Sequence, residues 1–216
     1  MTLSQRIILS ILKSFSKVFL SWKVKGRENV PLTDSFVLVS NHVHLLDPIL
    51  LELSSPRWIS FMAKEELFHH PLSKIIIQWA QAFPVRRRGT TKDKRNVVKQ
   101  AKDILDNGII LGMFPEGKRS RNGKLTMGKS GSAVIASRAN VPLLPVGITG
   151  TDKIKGMNWL WRRPEIVINI GKPFKLPSVD GRLNKSQIKL LTSQLMGEIA
   201  ALLPPEYQGV YKEHGD

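Results

Sequence analysis

The sequence predicts one α/β domain in which a mostly parallel or mixed sheet is flanked by helices. Apolar, β-branched segments alternate along the chain with segments of helical periodicity, as is typical of such sheets. Two of the apolar segments lead directly into loops of chemically reactive residues, which is where open α/β sheets bind ligands. A chain of 216 residues that is 42% hydrophobic is long enough for a single domain with a sizeable core.

The predicted elements follow from these patterns in chain order. Strands are expected where short apolar runs are bounded by turn residues, and they span 36–40, 57–62, 109–114, 143–148 and 165–170. Helices are expected where apolar residues recur three and four positions apart, and they span 68–82, 91–107, 130–140 and 185–203. The helix over 91–107 ends at Asn107-Gly108, which is a typical helix-stop signal.

The first 24 residues have the pattern of an amphipathic helix that lies on a membrane surface. Apolar residues from Leu3 to Trp22 recur at helical spacing, with lysine, arginine and serine between them. The longest charge-free stretch runs only from Ile7 to Leu12, whereas a spanning helix needs about 20 apolar residues. We therefore expect residues 1–24 to be a membrane-association helix and residues 25–216 to be the globular domain. The alternative is a helix that packs its apolar face on its own domain.

Composition indicates an anionic partner. The formal net charge is +16 at pH 7, with cations clustered at 86–88 and 118–129. Nucleic-acid-binding modules place aromatic residues among their cations, but here the aromatic residues lie in apolar segments. A membrane phosphate therefore fits better, and no nucleic acid is expected. The absence of cysteine excludes disulfides and a thiol nucleophile, and the five histidines show no paired metal spacing, so no metal is expected.

A histidine–aspartate motif follows the first strand of the domain. Residues 41–48 begin with Asn41-His42 and end with Asp47-Pro48. At this spacing the Asp47 carboxylate can accept a hydrogen bond from one ring nitrogen of His42, leaving the other nitrogen free to take a proton from a hydroxyl group. Such a pair also arises by chance, and an aspartate before proline is typical of a helix N-cap. From these residues alone, the catalytic and the capping interpretations both stay open.

A second reactive loop follows the apolar strand over 109–114. It begins with Pro115, Glu116 and Gly117 and continues with Lys118, Arg119, Ser120 and Arg121. Gly117 allows a backbone with positive φ, and arginine's planar guanidinium suits bidentate contact with phosphate oxygens. Glu116 is expected to pair with one of the arginines and orient it. The alternative is an exposed charged loop without a ligand.

Together the two loops resemble the glycerolipid acyltransferase family, most closely its 1-acyl-sn-glycerol-3-phosphate (lysophosphatidate) acyltransferase branch. Two further segments resemble the family's second and fourth blocks and occur in the right order: 64–67 with 83–87, and 141–147. The resemblance spans about residues 25 to 175 and implies that 25–216 is an acyltransferase domain. Within the two loops, two positions depart from the family's pattern, because His44 stands where serine is usual and Lys118 where threonine is usual. The second block lacks the family's glycines near Lys74 and Gln81.

The resemblance implies a role for each matching position. His42 would be the general base and Asp47 its orienting partner. The substrate phosphate would be bound by cations from three segments, namely Arg87, Arg119, Lys64 and Arg121. The acceptor site would be shaped by Glu116, Gly117, Ser120 and Pro145. His44 would either tune the site or pack beside it, and backbone N–H groups near Asp47-Pro48 are candidate donors to the oxyanion.

The implied reaction is transfer of a fatty acyl group to the sn-2 hydroxyl of lysophosphatidic acid (1-acyl-sn-glycerol-3-phosphate), giving phosphatidic acid in phospholipid biosynthesis. The thioester donor would be acyl-CoA or acyl-ACP, where ACP is acyl carrier protein, and no cofactor is expected. The enzyme would be peripheral (monotopic) on the cytoplasmic face of an anionic membrane. One alternative is an acyltransferase for another lysophospholipid or hydroxyl acceptor. Another is a non-catalytic basic module that binds membrane or nucleic acid.

Overall fold

The computed structural model describes residues 7, 10–14, 16, 19–68, 82–85, 90–156, 159–177 and 183–212. These residues form one sheet with strands β1 (Ser21–Lys25), β2 (Val37–Ser40), β3 (Ile59–Lys64), β4 (Phe83–Val85), β5 (Ile110–Met113), β6 (Leu143–Thr149) and β7 (Glu165–Ile170). The helices are α1 (Asp47–Ser54), α2 (Thr91–Asp106), α3 (Gly131–Ala139), α4 (Trp159–Arg162) and α5 (Lys185–Ala201). Short 3₁₀ turns occupy Arg27–Asn29, Glu65–Phe68, Thr151–Lys153 and Gly209–Tyr211.

The strands lie in the order β1-β7-β6-β2-β5-β3-β4, which confirms the predicted mostly parallel or mixed sheet. Neighbouring strands are parallel, except that β6 and β7 are antiparallel. Strands β2 to β6 therefore run in one direction, and their carboxyl ends meet along one side of the sheet, which we call the carboxyl edge. Open α/β sheets bind their ligands at this edge.

Strands β1 and β7 run in the opposite direction from the others. The segment that precedes β1 and the connection from β6 to β7, which carries α4, consequently also lie at the carboxyl edge. The connection from β1 to β2, which contains Leu32, lies at the opposite side, the amino edge.

Side chains that alternate along the strands supply two apolar clusters, one on each face of the sheet. On the first face, Val37 and Val39 of β2 belong to a cluster with buried residues of α2, α3 and α5. On the second face, Leu38 belongs to a cluster that includes Leu50 and Leu51 of α1. All four residues of β2 are buried, so the loop that follows this strand starts from the interior of the domain.

The helices start and end close to where their sequences indicate. Thr90 and Asp93 form a reciprocal capping box at the start of α2, and Asn184 and Gln187 form another at the start of α5. Helices α2, α3 and α5 begin within one residue and end within two residues of the predicted bounds. Most of the predicted helix over 68–82 lies outside the described residues.

The N-terminal prediction needs one correction. Residues 21–24, which the helical pattern included, belong to β1 and pair with β7, so the sheet begins within the predicted membrane-association segment. Residues 7, 10–14, 16 and 19 have helical backbone, and association of this segment with a membrane remains a prediction. Within the described residues, no helix has both the length and the apolar character needed to cross a bilayer.

Candidate active site

The carboxyl edge brings the two predicted loops into contact. His42 follows β2, and the second loop, which we call the cation loop (residues 115–130), follows the neighbouring strand β5. The backbone N–H of His42 donates to Glu116 Oε1 at 3.0 Å. The backbone N–H of Ser120 donates to the His42 carbonyl at 2.7 Å. The backbone of the predicted base is therefore fixed directly to the cation loop.

His42 and Asp47 form the hydrogen-bonded pair that their spacing predicts. The His42 Nδ1 atom lies 2.9 Å from Asp47 Oδ2, and the Asp47 side chain is fully buried, with 0% exposed. The backbone N–H groups of Val43 and His44 also donate to Oδ2, each at 2.7 Å. A carboxylate only accepts hydrogen bonds, so this contact places the proton on Nδ1 and leaves Nε2 as the basic nitrogen.

The capping interpretation of Asp47 is wrong in its detail. Asp47 is the first residue of α1, and Leu46 occupies the cap position without a side-chain capping bond. The Asp47 carboxylate instead accepts the amides of the turn that precedes the helix. The amides of Val43 and His44 are consequently engaged with Asp47. The expectation that N–H groups near Asp47-Pro48 donate to an oxyanion stays a prediction.

Two phenylalanines hold the plane of the His42 ring. The ring centroids of His42 and Phe114 are 4.0 Å apart with an interplanar angle of 19°. Phe114 in turn stacks on Phe61 of β3, at a centroid distance of 5.8 Å. The His42 side chain keeps 17% of its surface exposed. The imidazole is thus fixed by Asp47 and by the stack while part of it faces solvent at the carboxyl edge.

Glu116 joins the two loops through their backbones. It is 1% exposed, and its Oε2 accepts hydrogen bonds from the backbone N–H of Thr126 at 2.9 Å and from the Thr126 hydroxyl at 2.6 Å. With the His42 amide on Oε1, both carboxylate oxygens are engaged. Among the described residues Glu116 forms no ion pair with arginine, so the expected Glu116–arginine pair gives way to these bonds.

His44 lies close enough to Asp47, Arg119 and His42 for their charges to affect it. Its Nδ1 accepts a hydrogen bond from the backbone N–H of Leu46 at 3.3 Å. Burial lowers its pKa; the charge of Asp47 opposes this shift, and the nearby Arg119 and His42 add to it. His44 therefore presents an N–H at Nε2 rather than a second basic nitrogen.

The remaining predicted residues of the cation loop fall into an exposed and a structural group. Arg119 and Arg121 are exposed, as expected of groups that bind a ligand phosphate. Gly117 has φ of +67°, and an added Cβ would lie 2.9 Å from Lys129 Nζ. Ser120 is buried, and its hydroxyl lies within hydrogen-bond distance of Asn122 Oδ1 and the Lys124 carbonyl. Gly117 and Ser120 thus fix the shape of the loop.

One predicted residue lies apart from this constellation, and the side chains of two others lie outside the described part of the structure. Pro145 lies inside β6, where it pairs with Val39 three positions before His42, so it is buried in the sheet about 10 Å along the strands from the base. Lys64 is the last residue of β3, and its side chain lies outside the described part of the structure. Arg87 also lies outside the described residues.

Comparison with known protein families gives a match over most of the sheet. The family model described as acyltransferase matches residues 21–149, which is more than half of the chain and includes both loops. The chain belongs to the acyltransferase family.

Two relatives of the chain match most of its length. It is 30% identical over 182 residues to a chloroplast 1-acyl-sn-glycerol-3-phosphate acyltransferase of Arabidopsis thaliana, a match that covers 81% of the chain and 49% of the relative. It is 29% identical to the 1-acyl-sn-glycerol-3-phosphate acyltransferase of Streptococcus pneumoniae, with 86% and 69% covered. The chain thus spans about half the length of the plant relative.

A solved structure shares the fold of this chain. The crystal structure of the 1-acyl-sn-glycerophosphate acyltransferase from Thermotoga maritima superposes with a TM-score of 0.64 and 28% sequence identity. The match covers 88% of this chain and 77% of the other.

Three residues of the candidate site had no predicted role. Thr126 engages Glu116, and Phe114 stacks on His42. Asn41 is buried and ties the end of β2 to β6, because its amide group donates to the Ile148 carbonyl and accepts the Ile148 N–H, each at 2.8 Å. Asn41 begins the first motif and Phe114 directly precedes the second, so their positions could have indicated a role in the site. The loop sequence around Thr126 gives no such indication. Among the residues the structure describes, no three His, Asp or Glu side chains converge on a metal position.

Proposed function

We propose that this chain transfers a fatty acyl group from an acyl thioester to the sn-2 hydroxyl of 1-acyl-sn-glycerol-3-phosphate, giving phosphatidic acid in phospholipid biosynthesis. The observation that carries the proposal is the His42–Asp47 pair, held at 2.9 Å at the carboxyl edge of an acyltransferase-family sheet. Relatives from a plant and a bacterium carry the name of this activity, which supports the choice of substrate.

In this reaction His42 is the general base. Its Nε2 takes the proton of the sn-2 hydroxyl as that oxygen attacks the thioester carbonyl carbon, which forms the ester C–O bond. The C–S bond then breaks, and the imidazolium returns its proton to the departing thiolate. Asp47, buried and bonded to Nδ1, stabilises the imidazolium between these steps. General base catalysis of this kind contributes about 10²–10⁴-fold.

The acceptor's phosphate is the anion for which the cation loop is suited. Arg119 and Arg121 are exposed on this loop, and Arg119 lies close enough to His44 to affect its pKa, so it is also near the base. Arginine forms two parallel hydrogen bonds to phosphate oxygens, which would orient the acceptor as well as bind it. Arg87 and Lys64 complete the proposed phosphate site from the second block. Glu116, Gly117 and Ser120 act through the shape of the loop.

The acyl donor is proposed to be acyl-CoA or acyl-ACP, used as a co-substrate without a resident cofactor. Release of free thiol from palmitoyl-CoA in the presence of oleoyl-lysophosphatidate in detergent micelles measures the reaction directly. We expect His42→Ala to lose about 10²-fold or more of this activity. His44→Ala is the matched control and should lose much less, since the His44 Nδ1 is occupied by the Leu46 amide.

A wild-type enzyme that stays silent with both palmitoyl-CoA and palmitoyl-ACP would overturn the proposed reaction. A second acceptor class, another lysophospholipid, is included in the test because His44 lies at the site where serine is usual in the family. Lysophospholipids without a terminal phosphate monoester should therefore be compared with lysophosphatidate. Equal turnover of both would replace the proposed acceptor with another lysophospholipid.

We further propose that the enzyme is peripheral, with its carboxyl edge against an anionic membrane on the cytoplasmic side. Exposed apolar side chains lie at this edge on three separate segments: Ile11 before β1, Leu45 after β2, and Trp161 on α4, which is 91% exposed. Arg162 and Arg163 follow Trp161 and are also exposed. Tryptophan beside arginine suits the headgroup region, where each cation adds about 1 kcal/mol of attraction.

Sedimentation with phosphatidylcholine vesicles, with and without phosphatidylglycerol, tests this orientation. Burying half of a side chain that covers about 150–250 Å² is worth roughly 2–3 kcal/mol, so Trp161→Ala should weaken vesicle binding about tenfold or more. Leu32→Ala is the control, because Leu32 is 74% exposed but lies at the amino edge. Equal binding of the two variants would reject the proposed orientation.

A further inference from the structure

The segment 204–212, which we call the C-terminal strap, lies against the cation loop. The backbone N–H of Leu125 donates to the Tyr207 carbonyl at 2.8 Å, and the Val210 N–H donates to the Leu125 carbonyl at 3.3 Å. Leu125 is buried in the apolar cluster that also contains residues of α5. The strap therefore holds the cation loop by paired backbone bonds, as a neighbouring strand would.

Tyr211 and Gly209 add to the contact between the strap and the cation loop. The Tyr211 hydroxyl accepts the backbone N–H of Gly128 at 3.2 Å, so the strap contacts the cation loop on both sides of Thr126. Gly209 has φ of +55°, and a Cβ at this position would overlap the Leu125 carbonyl oxygen. Any side chain at 209 would thus push the strap away from the loop.

Thr126, which lies between these contacts, is linked to His42 by hydrogen bonds through Glu116. Thr126 donates two hydrogen bonds to Glu116, at 2.9 and 2.6 Å, and Glu116 accepts the backbone N–H of His42 at 3.0 Å. Displacement of Thr126 would therefore be passed to Glu116 and to the loop that carries Arg119. Each link in this chain is a hydrogen bond to a buried carboxylate, which is strong and directional.

We propose that the C-terminal strap is a positioning element for the acyl acceptor, in which Gly209 and Tyr211 act through Thr126 and Glu116 to hold Arg119 in place beside His42. This inference rests on the proposed roles of His42 and Arg119. A positioning element acts through the cation loop, so its effect should appear in how well the acceptor is bound and aligned.

The test compares two glycine substitutions that carry the same backbone strain. Gly209 and Gly156 have φ of +55° and +60°, but nothing lies within 4 Å of a Cβ built at Gly156. We expect Gly209→Ala to raise the KM for lysophosphatidate about fivefold or more, equivalent to about 1 kcal/mol, and to leave the KM for acyl-CoA unchanged. Gly156→Ala should leave both KM values unchanged. Partial unfolding would lower the apparent kcat without moving either KM.

Tyr211→Phe is the second variant and removes only the hydroxyl that accepts the Gly128 amide. It should also raise the KM for lysophosphatidate, by a smaller factor. If Gly209→Ala does not fold, this variant alone tests whether the strap positions the acceptor. Wild-type acceptor KM values in the folded variants would overturn the strap's role. A wild type without turnover would overturn the reaction instead. Hydrogen exchange of the cation loop still tests the strap in that case, since exchange in Gly209→Ala no faster than in Gly156→Ala would reject it.

Discussion

Replacing Glu116 by glutamine tests how the site is held together. The carboxylate accepts hydrogen bonds on both oxygens, from the His42 amide at 3.0 Å and from the Thr126 amide and hydroxyl. Glutamine has the same shape but only one accepting oxygen, so one of the two backbone amides would face an NH₂ group. Hydrogen bonds to charged groups contribute about 1.5–3 kcal/mol, and a buried donor left without a partner costs about 1–3 kcal/mol. We expect Glu116→Gln to lower the free energy of unfolding by about 2–4 kcal/mol.

Thermal unfolding followed by circular dichroism measures this loss. For a chain of this size, 1 kcal/mol corresponds to about 2–4 °C, so the melting temperature should fall by roughly 5–15 °C. Glu198→Gln on the exposed face of α5 is the matched control and should change stability by less than about 0.5 kcal/mol. If Glu116→Gln melted within about 2 °C of that control, the inferred role of Glu116 in joining the two loops would be refuted.

Three further predictions concern Asp47, Glu52 and Gly112. Asp47→Asn removes the charge that stabilises the imidazolium, so kcat for acyl transfer should fall about 10²–10⁴-fold in the thiol-release assay; near wild-type turnover would contradict the role of Asp47. Burial raises the pKa of Glu52 from 4.5 to about 8, so folding favours the neutral carboxyl and the free energy of unfolding should decline as pH rises between those values. Urea denaturation should find this decline largely abolished in Glu52→Gln, and equal pH dependence in both proteins would disprove it. Gly112→Ala would bring a methyl group within 2.5 Å of the Phe61 ring and should cost about 1–3 kcal/mol in urea denaturation. The control is Gly131→Ala, whose nearest contact is at 4.0 Å, and equal stability of the two variants would contradict the packing at Gly112.

The strands in the middle of the sheet could be predicted because burial on both faces makes them continuous apolar runs. Strands β2 and β5 are such runs, and each is fully buried. Strand β1 could not be predicted, because Trp22 and Val24 fit helical spacing as well as strand alternation. Pairing with β7, which is distant in the sequence, makes this segment a strand rather than a helix. Local pattern carries no information about that pairing.

The contact between His42 and Asp47 could be predicted because it is local in the sequence, whereas the other contacts of the site are not. His42 and Asp47 lie five positions apart, so their contact depends on one local turn. The partners of Glu116 are backbone groups of distant residues, and nothing in the sequence indicates which amide a buried carboxylate accepts. An arginine from the same loop was the expected partner because opposite charges were adjacent in sequence. In the fold those arginines are exposed and the carboxylate is buried.

The pairing of β1 with β7 also has a consequence for how the protein is made. Ser21 pairs with Glu165, so β1 leaves the ribosome long before its partner strand β7 has been made. At about 5–20 residues per second, translation of the intervening chain takes on the order of ten seconds. During that interval β1 has no strand partner, and closing so long a loop makes the pairing one of the slowest in the sheet. We therefore expect the central strands β2, β5 and β6, which carry the candidate site, to assemble first, with β1 joining last.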